Sequence, residues 1–391
     1  MHVAPERATV SVDTARELGP LVRRYAGEIE TTRELPRPLF EALADAGLFR
    51  MVVSAAAGGD EIDFPTYLDI LEEIGKADAS TAWCLNQASS FATYSPCMPL
   101  AVARLIFQEN PHGVVANTPT PSAKAISVPG GYRITGKHAY GTGCRHASWM
   151  ASRAQIVDDG VPRLLPNGDP EIRYFMVPAD EAEIIDTWDV AGLRGTGTHH
   201  WAVRDVFVPE ERTFSPDAVA GPEHAPIYLI PRQILAACGD AATALGVARD
   251  CLDAFIEMAQ TKKAANMAGL LRDEALVQFD VGHAEAELRS SRIYLRQTVR
   301  EVWDEIDRTR TITMDQKADL RLASVHAIRL SANVVDAMYN AAGASAVLRD
   351  HPIQRHFQDV HVITQHMQSR RSHYELIGKV LLGFEVQSSF L

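Results

Sequence analysis

The chain has 391 residues, 38 basic against 50 acidic side chains for a formal net charge of -12, and 46% hydrophobic residues. That balance excludes nucleic acid as an expected partner, since a phosphate backbone selects basic surfaces, while the apolar content suffices for a sizeable core in two or three domains. Charges of both signs are interspersed and no apolar run reaches bilayer length, so no membrane partner is expected either.

The opening Met1-His-Val-Ala-Pro-Glu-Arg7 lacks the apolar core of a signal peptide. The five cysteines Cys84, Cys97, Cys144, Cys238 and Cys251 show no CxxC spacing, which reads as free thiols in a reducing compartment. A cytoplasmic location is the expectation.

Residues 1–112 read as an α-helical domain. Leu18, Leu21, Val22, Tyr25 and Ile29 recur at helical spacing. Pro36 and Pro38 open a second helix through Leu39, Leu43 and Leu48, and a loop with Ala57-Gly-Gly-Asp60 precedes a helix around Tyr67 to Ile74. A further helix begins near Ser80. It carries Trp83, Asn86, Gln87 and Ser89, polar groups set in an otherwise apolar segment.

Over 113–214 the period changes. Gly113-Val-Val-Ala116, Ala125-Ile-Ser-Val128, Gly130-Gly-Tyr-Arg-Ile134, Arg173-Tyr-Phe-Met-Val-Pro178 and Trp201 to Pro209 are β-prone runs between turn signals. They predict a small antiparallel barrel or sandwich, with hairpin turns at Asp158-Asp-Gly160 and Asn167-Gly168. The neighbouring His199 and His200 point to opposite faces of a strand, so no metal site is expected there. Over 215–391 long helical stripes return, Val277-Val281-Ala284-Leu288-Leu295-Val299-Val302 and Ala318-Leu322-Val325-Ile328, which suit an antiparallel four-helix bundle.

Four stretches carry the chemistry: Ala116-Asn-Thr118-Pro119-Thr-Pro-Ser122; Thr135-Gly-Lys-His-Ala-Tyr140-Gly-Thr142-Gly143-Cys-Arg-His-Ala-Ser-Trp149; Trp188-Asp-Val-Ala-Gly-Leu-Arg194-Gly-Thr196-Gly-Thr198-His-His200; and Pro352-Ile-Gln-Arg-His-Phe-Gln-Asp359 continued by Val-His-Val-Ile-Thr-Gln-His366-Met367. With the order helices, β domain, helical bundle, they resemble the acyl-CoA dehydrogenase superfamily over essentially the whole chain. The resemblance implies that fold: N-terminal helices, a middle antiparallel β-barrel and a C-terminal four-helix bundle. It also implies a flavin. Tyr140 then packs near the isoalloxazine and Thr142 hydrogen-bonds it around N5. Thr118 serves the pyrimidine edge, Trp188 stacks on the flavin, and the Arg194, Thr196, Thr198 turn contacts the flavin or its phosphate. The helix with Trp83, Asn86, Gln87 and Ser89 lines the substrate pocket.

In the fatty-acyl dehydrogenases the last of these stretches delivers a glutamate base. Here that position falls on Met367, whose thioether cannot take a proton from carbon, and His366 precedes it. The run Tyr140 to Trp149 and the ending Tyr374 to Gly383 are more similar to the two-component monooxygenase branch. In that branch a separate NAD(P)H:flavin reductase supplies reduced flavin, and a C4a-hydroperoxyflavin formed with O2 oxygenates an aromatic or polycyclic small molecule. His366 and Thr142 are then the catalytic candidates, His366 accepting a phenol proton or holding the distal peroxide oxygen. Ala342-Gly343-Ala344 replaces the Gly-Gly turn that helps hold the FAD diphosphate, which favours FMNH2 over FAD or FADH2. A homotetramer is expected from the same resemblance. The alternative is an FAD-dependent acyl-CoA dehydrogenase or oxidase with a displaced base.

Overall fold

Ser11 starts the first helix with a reciprocal capping box to Thr14, and α1 (Val12–Thr32) buries Ala15, Val22, Ala26 and Ile29 on one face. The computed structural model describes residues 9–221, 223–263 and 269–391; the opening residues 1–8, on which the leader-peptide reading rests, lie outside them. Pro36 and Pro38 open α2 (Arg37–Asp45) as expected, but the helix stops before Leu48. Gly47, at φ 86°, turns the chain into a 3-10 turn over Leu48–Arg50. Asp63 caps α3 (Phe64–Ala77) through the Thr66 N–H at 2.7 Å, and Asp78 caps α4 (Ala79–Ala92) through the Thr81 N–H at 2.7 Å. A short α5 (Leu100–Phe107) completes the N-terminal helices.

The strands are β1 (Val115–Asn117), β2 (Ala123–Val128), β3 (Gly131–Gly141), β4 (Trp149–Asp158), β5 (Val161–Pro162), β6 (Ile172–Pro178), β7 (Glu183–Ile185), β8 (His199–Pro209) and β9 (Thr213–Phe214). Their order is β7-β8-β3-β2-β4-β6-β9, with β1 and β5 also paired to β4. The expected all-antiparallel pairing is corrected: β4 runs parallel to both β1 and β2, so the sheet is mixed. The turn at Asp159 (φ 48°) and Gly160 (φ 83°) joins β4 to β5 as a two-residue hairpin. Between His138 and Gly141 the β3–β8 register shifts, and this bulge matters for the site.

The C-terminal helices are α6 (Arg232–Ala259), α7 (Ala275–Thr309), α8 (Met314–Ala342), α9 (Pro352–Gln365) and α10 (Ser372–Leu381). One continuous core joins them to the N-terminal helices, and a separate core with Ile134, Ile156, Phe175, Trp201 and Val203 fills the sheet. α3 and α6 cross through glycines: a Cβ at Gly246 would stand 2.4 Å from the Glu72 carbonyl oxygen. The Glu72 carboxylate in turn takes Arg292 at 2.6 Å and Arg296 at 2.9 Å, fastening α3 to α7. Among the described residues no helix is long and apolar enough to cross a membrane.

The loop after β7 is tied to the bundle at one point. Leu193, left-handed at φ 51°, donates its N–H to Asp359 Oδ1 of α9 at 2.6 Å. A Cβ at Gly192 would stand 2.3 Å from the Gln358 carbonyl oxygen, so glycine is required for that approach. Burial pushes the Asp359 carboxyl up to about 7, with nearby Arg355 and the Leu193 N–H pulling the other way. The folded state therefore holds this proton more tightly than the unfolded chain does. The stability it contributes is full below the unfolded value of 3.8 and is lost as pH rises through about 7. Asp359→Asn keeps an acceptor for Leu193 but cannot ionise. Thermal unfolding followed by circular dichroism should show the melting temperature of the natural protein falling between about pH 5 and about pH 8 by more than that of the variant. Parallel pH profiles would remove Asp359 as the source.

Candidate active site

Two clusters of polar side chains each contact α4. The first is built on the bulge of β3 and the loop before β8. The bulge turns Tyr140 outward at φ 63°, leaving the residue 63% exposed and its ring edge-on to His200 at 5.9 Å between centroids. Thr118 is buried and donates its hydroxyl to the Ala139 carbonyl at 3.0 Å, which places it beside this bulge. The Gly143 N–H donates to the Thr196 carbonyl at 2.8 Å, zipping the β3 segment to the loop.

Three hydroxyls then form a chain with a direction. Thr196 donates to the Leu193 carbonyl at 2.8 Å, because a carbonyl can only accept. With its single proton so used, Thr196 accepts from Thr198 across 2.7 Å, and Thr198 accepts from Thr142 across 3.0 Å. Thr142 is thereby left with lone pairs and no proton to offer.

Trp188 and Arg194 do not join that chain. The Trp188 indole N–H donates to the Leu193 carbonyl at 3.0 Å and closes the loop on itself. Arg194 reaches back to Glu30 at 3.2 Å and to the Val190 carbonyl at 2.6 Å. Both brace the turn that orients Thr196 and Thr198.

The second cluster is centred on a carboxylate that inspection of motifs passes over. Asp240 is fully buried in α6. Its Oδ1 accepts from Asn86 Nδ2 at 2.8 Å and Gln87 Nε2 at 3.4 Å, and its Oδ2 accepts from His366 Nδ1 at 2.9 Å. Asn86 is held in turn: its Nδ2 donates to the Ala236 carbonyl at 3.0 Å, and its Oδ1 accepts from the Tyr67 hydroxyl at 2.6 Å. Burial pushes the Tyr67 phenol well up, so it stays a donor. Gly239 makes room, since a Cβ there would stand 2.0 Å from Asn86 Oδ1. The signal for Asp240 is present in the sequence: it is the only charged residue between Arg232 and Arg249.

His366 caps the end of α9, and Trp83 packs edge-on against its ring at 5.0 Å. With Nδ1–H committed to Asp240, Nε2 is the nitrogen without a partner among the described residues. Of the pocket-helix candidates, Trp83 and Gln87 border His366, whereas Asn86 spends all its polar atoms inside the protein. Ser89 is fully buried beyond them. Met367, in the position of a glutamate base, offers its carbonyl to His373 Nε2 at 2.9 Å. The two clusters touch through α4, where Cys84, next to Trp83, lies with its thiol 3.9 Å from the Thr196 carbonyl.

The residues suit a flavin. His199 Nδ1 accepts the Thr187 and Trp188 N–H groups at 3.1 Å each, so its proton is on Nε2, and burial holds the imidazole neutral by lowering its pKa. That N–H and the Trp201 indole N–H are buried without a partner among the described residues, and both residues flank Gly141. Orphaned donors, an outward aromatic face and a hydroxyl with free lone pairs match a flat heterocycle rich in carbonyl and nitrogen atoms. His199 and His200 diverge, His199 buried and His200 half-buried beside Tyr140.

Comparisons with known proteins agree. The family "Acyl-CoA dehydrogenase, N-terminal domain" matches residues 7–98, and "Acyl-CoA dehydrogenase, C-terminal domain" matches residues 238–371. An indole-3-acetate monooxygenase of Pseudomonas putida is 30% identical over 100% of this chain and 99% of its own. The flavin-dependent monooxygenase oxygenase subunit HsaA of Mycobacterium tuberculosis is 27% identical over 88% of this chain and 87% of its own. The structure of XiaF from Streptomyces, in complex with FADH2 and glycerol, aligns with a TM-score of 0.88 at 24% identity over 96% of each chain. The chain belongs to the acyl-CoA dehydrogenase family, in the branch whose members are flavin-dependent monooxygenases.

Proposed function

We propose that this protein is the oxygenase component of a two-component system that oxygenates an aromatic or polycyclic small molecule. It receives reduced flavin, FMNH2 in preference and FADH2 as the alternative, from a separate NAD(P)H:flavin reductase, and it uses O2. The bound reduced flavin supplies two electrons to O2, so that one oxygen atom goes to the substrate and the other leaves as water. The observation that carries this reading is the pairing of His366 with Asp240 at 2.9 Å, next to Met367 in the position that the resemblance assigns to the glutamate base. The carboxylate paired with His366, that of Asp240, is fully buried with both oxygens engaged, so it is not available to take a proton from carbon.

His366 has the geometry of a base held by a third group. The Asp240 carboxylate fixes Nδ1–H and leaves Nε2 to accept a proton from a substrate hydroxyl or ring nitrogen. Trp83, packed edge-on against the ring at 5.0 Å, supplies an apolar wall beside it. Thr142, Tyr140 and Thr118 hold the flavin, and Arg194 and Trp188 position the Thr196–Thr198 turn. We also propose a cytoplasmic homotetramer. The five free cysteines suit a reducing compartment, and Leu276, Phe279 and Ile293 leave an apolar stripe exposed on α7.

The direction of the hydroxyl chain bears on which flavin is held. Reduced flavin carries a proton on N5 and needs an acceptor; oxidised N5 has only a lone pair and needs a donor. A Thr142 oxygen that has already given its proton to Thr198 suits the reduced form. Thr198→Val frees the Thr142 proton, so the preference for reduced over oxidised flavin should shrink by about tenfold in anaerobic titrations. An unchanged ratio would detach the relay from the cofactor.

The decisive experiment mixes the protein anaerobically with reduced FMN or FAD, then with oxygenated buffer and a substrate panel that includes phenols, indole and indole-3-acetate. We expect a long-lived near-ultraviolet transient discharged by at least one aromatic, with oxygenated product. His366→Ala should lower coupled product by about 100-fold while hydrogen peroxide release rises. Immediate flavin oxidation without a transient, together with bleaching of bound FAD by acyl-CoA thioesters, would overturn the proposal.

A further inference from the structure

His366 stands just past the last turn of α9, where the chain leaves the helix. Its own backbone is extended, at ψ 150°, and Met367–Ser369 form a 3-10 turn after it. A helix end strands carbonyl groups that the helix ladder no longer uses. α9 closes without a glycine after its cap and without a basic side chain in its last turn, two common ways of serving those groups. Gln368 and Ser369 are moreover buried, so the carbonyls of this turn need donors from the protein.

Those donors are present. The Ser369 N–H donates to the His366 carbonyl at 2.9 Å, and His373 Nε2–H donates to the Met367 carbonyl at 2.9 Å. Two arginines of α8 take the rest. Arg329 Nη2 donates to the Thr364 carbonyl at 3.2 Å and to the Ser369 carbonyl, so it grips the chain on both sides of His366. Arg321 Nη1 donates to the Gln368 carbonyl at 3.4 Å and to the Gln368 Oε1 at 2.8 Å. Its remaining N–H groups go to the Gln233 carbonyl of α6 at 2.9 Å and to the Phe390 carbonyl at 3.1 and 2.8 Å, so all five guanidinium donors are used. Gln368 Nε2 closes the link to α6 by donating to Gln233 Oε1.

Neither arginine forms an ion pair among the described residues, and Arg321 is fully buried. Burial pulls the Arg321 guanidinium down to about 10, which leaves it charged near neutral pH; the carboxylate opposing that shift is Asp240, the partner of His366. A buried cation served by neutral acceptors is costly, and an apolar side chain would serve stability better. What the guanidinium supplies instead is a set of directed bonds on one turn. We infer that Arg321 and Arg329 are positioning residues for His366: from two points about 12 Å apart along α8 they hold the turn that presents its ring to Asp240. The inference rests on the proposed function for what His366 does, and on these hydrogen bonds alone for how it is held.

The test uses Arg329→Met, since Arg329 is only half-buried, and Gln368→Met, which breaks one arm of Arg321 and leaves its other acceptors in place. Hydrogen exchange of the full-length protein, read by mass spectrometry, should quicken about tenfold over residues 364–373 in both variants and stay unchanged in α4. With the aromatic that discharges the transient, kcat for oxygenated product should fall about tenfold at an unchanged KM, hydrogen peroxide taking up the difference. Arg329→Lys, which keeps a donor for the two carbonyls, should regain most of that loss. In a His366→Ala background the same substitutions should change product by less than about twofold, because there is no imidazole left to place. An equal loss with and without His366, or a loss carried by KM alone, would make the arginines merely structural and overturn the inference. Unchanged exchange over 364–373 would overturn it as well. Quickened exchange in a protein that oxygenates no aromatic would keep the two-arginine clamp and discard the monooxygenase reading; full oxygenation with the turn loosened would do the reverse.

Discussion

A carboxylate buried in an apolar helix governs this site. Asp240 sits in α6 among alanines, Cys238 and Leu245, where an unpaired charge would cost several kcal/mol. It is kept there only because donors converge on it from two other helices: Asn86 and Gln87 on α4, and His366 at the end of α9. Each donor has a further constraint. Asn86 is oriented by Tyr67 and the Ala236 carbonyl, and it fits only because residue 239 has no side chain. The close glycine crossing of α3 over α6 brings Tyr67 near enough to act. Satisfying one charge thus fixes the mutual placement of α3, α4, α6 and α9, and His366 inherits a fixed position from it.

The threonine cluster is set by a neutral group. The Leu193 carbonyl takes both the Trp188 indole N–H and the Thr196 hydroxyl, and the left-handed turn at Leu193 lets its own N–H reach Asp359. Everything downstream in the hydroxyl chain follows from that acceptor, because each threonine has one proton to give. A backbone carbonyl thereby decides that Thr142 offers lone pairs. Asp359 ties the loop to α9 seven residues before His366, so the two clusters are registered through one helix as well as through α4.

Much of this was legible in the sequence, for identifiable reasons. The long stripes of α7 and α8 and the strands of β6 and β8 stood out because each buries one face or carries a dense β-branched and aromatic run. The Thr142 segment and the Thr196–Thr198 turn were recognisable from local motifs, and the structure does bring them together. β4 was not recognisable. Trp149 to Asp158 lies between neighbours on both sides and is buried on both faces over most of its length, so its small residues show no alternation. Parallel pairing to β1 and β2 is equally silent, because strand direction leaves no trace in a local pattern. Asp240 and the closure of Asn86 onto Tyr67 depend on contacts 19 to 154 residues apart, which no spacing rule reaches.

The exchange of a carboxylate for an imidazole tethered to a carboxylate changes what the scaffold can do. Drawing a proton from carbon calls for a base that is ionised, exposed to the substrate and free to move toward it. Here the carboxylate lies behind the histidine, fully buried, and His366 Nε2 is left without a partner among the described residues. Such a pair serves substrates whose acidic proton is on oxygen or nitrogen, where transfer over one hydrogen bond activates an electron-rich ring. Trp83, edge-on to the His366 ring at 5.0 Å, gives that imidazole an apolar neighbour. On the sheet side, the direction of the threonine chain suits the reduced flavin proposed above.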